Sequence, residues 1–192
     1  MWFEELTGFA EENPDQVREN LVLCGDTLSS KINGRSFVCG RLETPSLGEL
    51  RSAAGQCHLP AGKITLREVI GDAKAKHANI NNAGALFQVA SQFNLLEMPS
   101  PMVTPERGVG VYELDPTQGP ACAMAAGAGT IYRSYFADIN GQIGQTADRQ
   151  IDCLEDLGKA MGNDNERLWS MQNGYAMATL AGLEEINRHI LA

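Results

Sequence analysis

The chain has 192 residues, 43% of them hydrophobic, which suits one domain with a small appendage rather than several cores. Its 15 Lys and Arg stand against 24 Asp and Glu, a formal net charge of −9 with no basic run. That disfavours nucleic-acid binding, which rests on clustered cations.

No stretch approaches the roughly 18 apolar residues of a membrane span. Met1–Ala10 carries Glu4 and Glu5 where a secretory leader would be basic. Five scattered cysteines, Cys24, Cys39, Cys57, Cys122 and Cys153, form no Cys-x-x-Cys pair and read as reduced thiols. A soluble cytoplasmic protein with no nucleic-acid or membrane partner is expected.

In chain order, Trp2, Phe3, Leu6 and Phe9 recur at helical spacing and predict a packed N-terminal helix. Asn13-Pro14-Asp15 then opens a second helix through Val17, Leu21 and Val22. Two strands, Thr27–Ile32 and Arg35–Leu42, are joined by Asn33-Gly34, a two-residue hairpin signal. Ser46 and Glu49 make a capping box for a helix from Leu47 to about Ala54, and Gly55–Lys63 reads as a loop.

The alternation in Ile64–Ile70 predicts a strand that ends on Gly71-Asp72. A carboxylate there sits where α/β proteins bind ligands, although Gly-Asp also makes ordinary turns. Ala85, Leu86, Phe87, Val89 and Ala90 predict a short buried strand. Gln88, Ser91, Gln92 and Asn94 along and after it then need partners, in the protein, in water or in a ligand.

Pro99, Pro101 and Pro105 mark an irregular loop. Gly108-Val109-Gly110 after it lets backbone N–H groups approach a ligand closely, and the same pattern is common in bulges. A small-residue helix is expected over Ala121–Phe136, with Pro120 in its first turn and an interruption at Gly127-Ala128-Gly129. The last third reads as two amphipathic helices, Asp148–Met161 and Asn165–Leu191. Their core stripes would be Ile151, Leu154 and Leu157, then Leu180, Leu183, Ile186 and Ile190, with Asn173-Gly174 interrupting the second.

The order of strand, Gly71-Asp72, strand ending in Gln-Val-Ala-Ser-Gln-Phe-Asn94, irregular loop and Gly108-Val109-Gly110 resembles the macrodomain, an α/β module that binds ADP-ribose. The resemblance implies a macrodomain-like mixed sheet flanked by helices over residues 61–192, preceded by an N-terminal helix and hairpin extension over residues 1–60. Asp72, after Gly71, would hold adenine. Asn94, with Ser91 or Gln92, would contact the terminal ribose, and Gly108 and Gly110 would lie along that ribose or the pyrophosphate.

The longer pattern from Trp2–Phe9 through Thr117–Cys122 to Asn173–Tyr175 is also similar to a bacterial family associated with macrodomain-like ADP-ribosyl hydrolases, including an arginine-specific branch. Its members are longer, so the resemblance implies a chain shortened at its C-terminal end. The expected partner is ADP-ribose or an ADP-ribosylated protein.

Hydrolysis of a ribosyl bond passes through an oxocarbenium-like transition state that calls for a carboxylate and a positioned water. Asp115 is the first candidate and Glu106 the second, as the carboxylates nearest the glycine loop in sequence, with Asn94 beside the scissile bond. Asp115 before Pro116 also suits an Asx-type turn. Arg133 could meet a pyrophosphate or stack between tyrosines. A non-catalytic nucleotide binder and a plain interaction protein are the rival classes. No cofactor is expected, and His58, His77 and His189 are too far apart in sequence to suggest a metal site.

Overall fold

A computed structural model describes residues 1–56, 62–88 and 91–191. Helix α1 (Trp2–Thr7) ends at Gly8, whose φ of 85° closes it in the left-handed conformation. Helix α2 (Pro14–Asn20) starts as the sequence signals: the Asn13 side chain accepts the Gln16 amide at 2.9 Å, and Pro14 fills the first position. It stops earlier than expected, because Leu21 turns extended and begins a strand.

Strands β1 (Leu21–Cys24), β2 (Thr27–Ser30) and β3 (Ser36–Val38) form an antiparallel sheet in that order. The β2–β3 hairpin expected around Asn33-Gly34 is present, with Leu28 opposite Phe37. Its connection is longer than two residues. Ser30 Oγ donates to the Thr7 carbonyl and accepts the Ile32 and Asn33 amides, while Asn33 Nδ2 donates to the Leu6 carbonyl, so the turn is drawn open against α1.

Helix α3 (Leu47–Gln56) carries the predicted capping box, with Ser46 N donating to Glu49 Oε2 at 2.7 Å and Glu49 N donating to Ser46 Oγ at 3.2 Å. The loop expected over 55–63 and the boundary near residue 60 lie largely outside the described residues, as do Cys57 and His58.

Among the described residues of two predicted strands, no strand forms. Over residues 64–70 the chain has no regular structure, with Leu66 94% and Ile70 101% exposed; an apolar alternation without a neighbouring strand among the described residues has nothing to pair with. Residues 85–88 are likewise irregular and exposed. Phe87 leaves the chain to stack on His77, ring centroids 3.9 Å apart, instead of entering a sheet. Val89 and Ala90 fall outside the described residues.

Between these segments lies helix α4 (Ala73–Ala78), which packs on α5 (Gln118–Ala126). Helix α6 (Ala128–Tyr135) follows α5 after a break at Gly127, whose φ is 51°. The small-residue segment is thus two helices rather than one. A two-stranded ribbon, β4 (Asp138–Ile139) with β5 (Gln142–Ile143), comes next.

The last third departs from the two expected helices. Helix α7 (Glu155–Met161) is short, and Asn173-Gly174 is the turn of a hairpin between β6 (Trp169–Gln172) and β7 (Tyr175–Ala178). Only then does α8 (Leu180–Leu191) run. Leu157, Leu180 and Leu183 of the expected core stripes are exposed.

Among the described residues the fold is therefore mixed α/β, eight α-helices with small antiparallel sheets. Its main core unites Phe3, Val17 and Leu28 from the N-terminal part with Val109, Tyr112, Ile131 and Tyr135, so it draws on both sides of position 60. No helix of the described residues is long and apolar enough to cross a membrane.

Candidate functional site

A cleft of about 470 Å3 opens along the irregular chain between Leu96 and Pro116, with Ser134 of α6 at its back. That size lies in the range of small-molecule sites. Its wall is built by proline and glycine chemistry. Pro105 begins a single 3-10 turn, Gly108 reverses the chain at a φ of 86°, and a second 3-10 turn over Gly110–Leu114 carries Tyr112 into the core.

Glu97 and Asp115 are the two carboxylates that line the cleft. Burial pushes the Glu97 carboxyl above its ordinary value of 4.5; the Arg133 charge and a hydrogen bond from Ser91 oppose this, and the Asp115 charge adds to it. Asp115 moves the other way. Its Oδ1 accepts the Thr117 hydroxyl at 2.6 Å and the Thr117 amide at 2.9 Å, which holds it below its ordinary 3.8. Oδ2 takes no hydrogen bond among the described residues.

Distant groups converge on Glu97. The buried Tyr112 hydroxyl accepts the Glu97 amide at 3.2 Å, and burial raises its own pKa. The Tyr175 hydroxyl donates to the Met98 carbonyl. Gly119, in the first turn of α5, lies so close to the Glu97 carboxylate that a Cβ there would collide with it. The Arg133 charge acts on Glu97 and Tyr112, yet its Nε and Nη2 are buried without a hydrogen-bond partner among the described residues. Cys122 is buried beside this cluster, and burial followed by the Glu97 charge raises its thiol, so it is not poised as a nucleophile.

The glycine loop is held from behind. Glu11 Oε1 accepts the Val109 amide at 3.0 Å, Glu11 Oε2 accepts the Gly110 amide at 2.6 Å, and the Tyr135 hydroxyl donates to the same carboxylate. The backbone donors expected to face a ligand are therefore occupied by a carboxylate of the protein. A side chain at Gly108 or Gly110 would strike Glu11 within 3 Å, which is why the loop needs both glycines.

Of the residues marked in the sequence, the structure brings Asp115, Gly108 and Val109 to the cleft, and Ser91 stands near enough to Glu97 to act against the rise of its carboxyl. Gly110 is buried behind the wall. Glu106 is exposed and accepts the Ala147 amide at 2.7 Å. Burial pushes its carboxyl up, but hydrogen bonds from Thr104, Ala147 and its own amide outweigh this and leave it low. Asp72 is exposed and caps α4 by accepting the Ala75 amide at 2.8 Å, with Gly71 against the Lys76 side chain. Gln88 is exposed and Gln92 half-buried; neither lines the cleft.

Asn94 is 0% exposed. Its Nδ2 donates to Gln150 Oε1 at 2.6 Å and to the Asn173 carbonyl at 3.2 Å, and its Oδ1 accepts the Leu96 amide at 3.0 Å. It is a bracket inside the core, and the polar atoms expected to contact a terminal ribose are taken by the protein's own groups. Glu97 and Tyr112 were not signalled by any motif; their roles come from burial. Among the described residues no group of His, Cys, Asp and Glu is arranged to hold a metal ion. In comparisons with known proteins, the chain matches no family model, no curated protein and no solved structure.

Proposed function

We propose that the protein binds an ADP-ribose-type nucleotide in the cleft between Leu96 and Pro116 and hydrolyses the glycosidic bond of its terminal ribose, arginine-linked ADP-ribose on a modified protein being the favoured substrate. One observation carries the chemistry: a single cleft is lined by two carboxyls whose surroundings push them in opposite directions, Glu97 up and Asp115 down. Such a split separates the roles of acid and base. The ligand class rests on the macrodomain resemblance, and a macrodomain-like relationship is part of the same proposal.

In this reading Glu97, protonated, gives its proton to the leaving nitrogen or oxygen as the ribosyl C1 bond breaks. Asp115, ionised, takes a proton through Oδ2 from the water that forms the new C1–O bond. Asp115 ends protonated and Glu97 ionised, and exchange with solvent restores both.

The rate should follow a bell. It falls at low pH as Asp115 gains a proton, below the ordinary 3.8, and at high pH as Glu97 loses its own, above the ordinary 4.5.

The test combines calorimetry with ADP-ribose and release of ADP-ribose from arginine-modified protein. Glu97→Gln and Asp115→Asn should each slow release by about a hundredfold or more while ADP-ribose still binds. Binding without release by the unaltered protein would reduce the reading to a non-catalytic binder, and no binding would end it.

A further inference from the structure

A second concavity, of about 730 Å3, opens between α3 and the first turn of α7. Its floor is apolar and open, with Leu47 60%, Leu50 51% and Leu157 48% exposed. Its rim carries Glu43, Asp152, Glu155 and Asp156, and none of the residues lining it is Lys, Arg or His. Lys159 beside it is bound to Glu155 at 2.6 Å and lies 4.0 Å from Asp156, which offsets part of one edge only.

Helix α3 is the second observation. It runs ten residues without burying a single side chain. Helices this short are marginal in water unless an apolar face is packed. Its capping box fixes where it starts but supplies no such packing. Leu47 and Leu50, three residues apart, share one face and point to what is missing: an apolar surface laid along α3.

We propose that this groove docks a basic amphipathic helix of a partner protein, with leucine-like residues spaced to meet Leu47, Leu50 and Leu157 and flanking Lys or Arg meeting the acidic rim. A helix laid in a groove is recognised through apolar anchors at such intervals. Charge complementarity sets its orientation and speeds its arrival more than it adds affinity. The carboxylates would reject an acidic helix of the same apolar pattern. The groove shares no lining residue with the Leu96–Pro116 cleft, and its test uses no nucleotide, so the proposal stands or falls independently of the hydrolase reading.

Fluorescence anisotropy with labelled synthetic peptides about 15 residues long, titrated with the whole chain, tests it. One peptide carries a Leu stripe flanked by Lys, a second has the same composition scrambled, and a third has Glu in place of Lys. The basic amphipathic peptide should bind at least about tenfold more tightly than either control, and Leu50→Ser should weaken it by about tenfold, the worth of one buried leucine. Asp152→Asn with Asp156→Asn should flatten its salt dependence, and bound peptide should shield Cys153, which lines the groove, from alkylation.

Leu50 is exposed, so its replacement leaves the fold intact, which circular dichroism verifies. Equal binding of the scrambled peptide, or binding unchanged by Leu50→Ser, overturns the proposal. So does sedimentation showing that a second copy of the chain covers the groove and is released by Leu50→Ser.

Discussion

Asn94 shows how a single side chain can be read correctly in kind and wrongly in place. Its amide needs partners, as the sequence implies, but they are Gln150 and Asn173, 56 and 79 residues away, and no local pattern announces them. Asn94→Ala should cost about 2–3 kcal/mol in denaturant unfolding, by leaving the buried Leu96 amide and the half-buried Gln150 oxygen unpaired. Loss of activity without that loss of stability would return Asn94 to the ligand. Glu97 is the reverse case. Within Leu95-Leu-Glu-Met98 it resembles any solvated acid, and its character comes from Tyr112, Arg133 and Gly119, all brought in by the fold. Asp115 was marked for its nearness in sequence to the glycine loop, and the Asx turn read there as the alternative is present, engaging Oδ1 alone.

At the level of elements, what the sequence disclosed was what short-range chemistry controls. The Asn13-Pro14 start, the Ser46–Glu49 capping box and the Asn33-Gly34 hairpin all involve residues within a few positions of one another. The Asn173-Gly174 hairpin carries the same signal as Asn33-Gly34. It was submerged by the apolar spacing around it, although Asn173 and Gly174, with φ of 48° and 79°, adopt the left-handed conformations such a turn requires. The described residues of the two other expected strands, 64–70 and 85–88, form no strand for a non-local reason, the want of a pairing partner among the described residues.

A further test belongs to α5. Gly119 has an ordinary helical position, so Gly119→Ala should keep or raise the melting temperature through better helix propensity, by up to about 1 kcal/mol. The same Cβ should push the Glu97 carboxylate aside. Release of ADP-ribose should then fall and the high-pH limb of its rate profile move. An unchanged profile would separate Glu97 from the chemistry.

Across the whole molecule, the N-terminal segment and the middle of the chain are one piece of architecture. Trp2 Nε1 donates to the Val109 carbonyl at 3.2 Å, and Glu11 gathers two amides and the Tyr135 hydroxyl from about a hundred residues on. Glu11→Ala should destabilise the protein by about 2–4 kcal/mol, because three buried or half-buried donors lose their acceptor. Glu11→Gln, which keeps one oxygen, should cost less. Hydrogen exchange at Val109 and Gly110 should quicken in the same order, and unaltered exchange in Glu11→Ala would mean that the loop is held by other contacts. The arrangement also bears on how a diphosphate, if one is bound as proposed, would be neutralised in the cleft. The seat that paired peptide N–H groups commonly offer such an anion is already taken by the Glu11 carboxylate, so under the proposed reading the counter-charge would come from Arg107, the cation that lines the cleft.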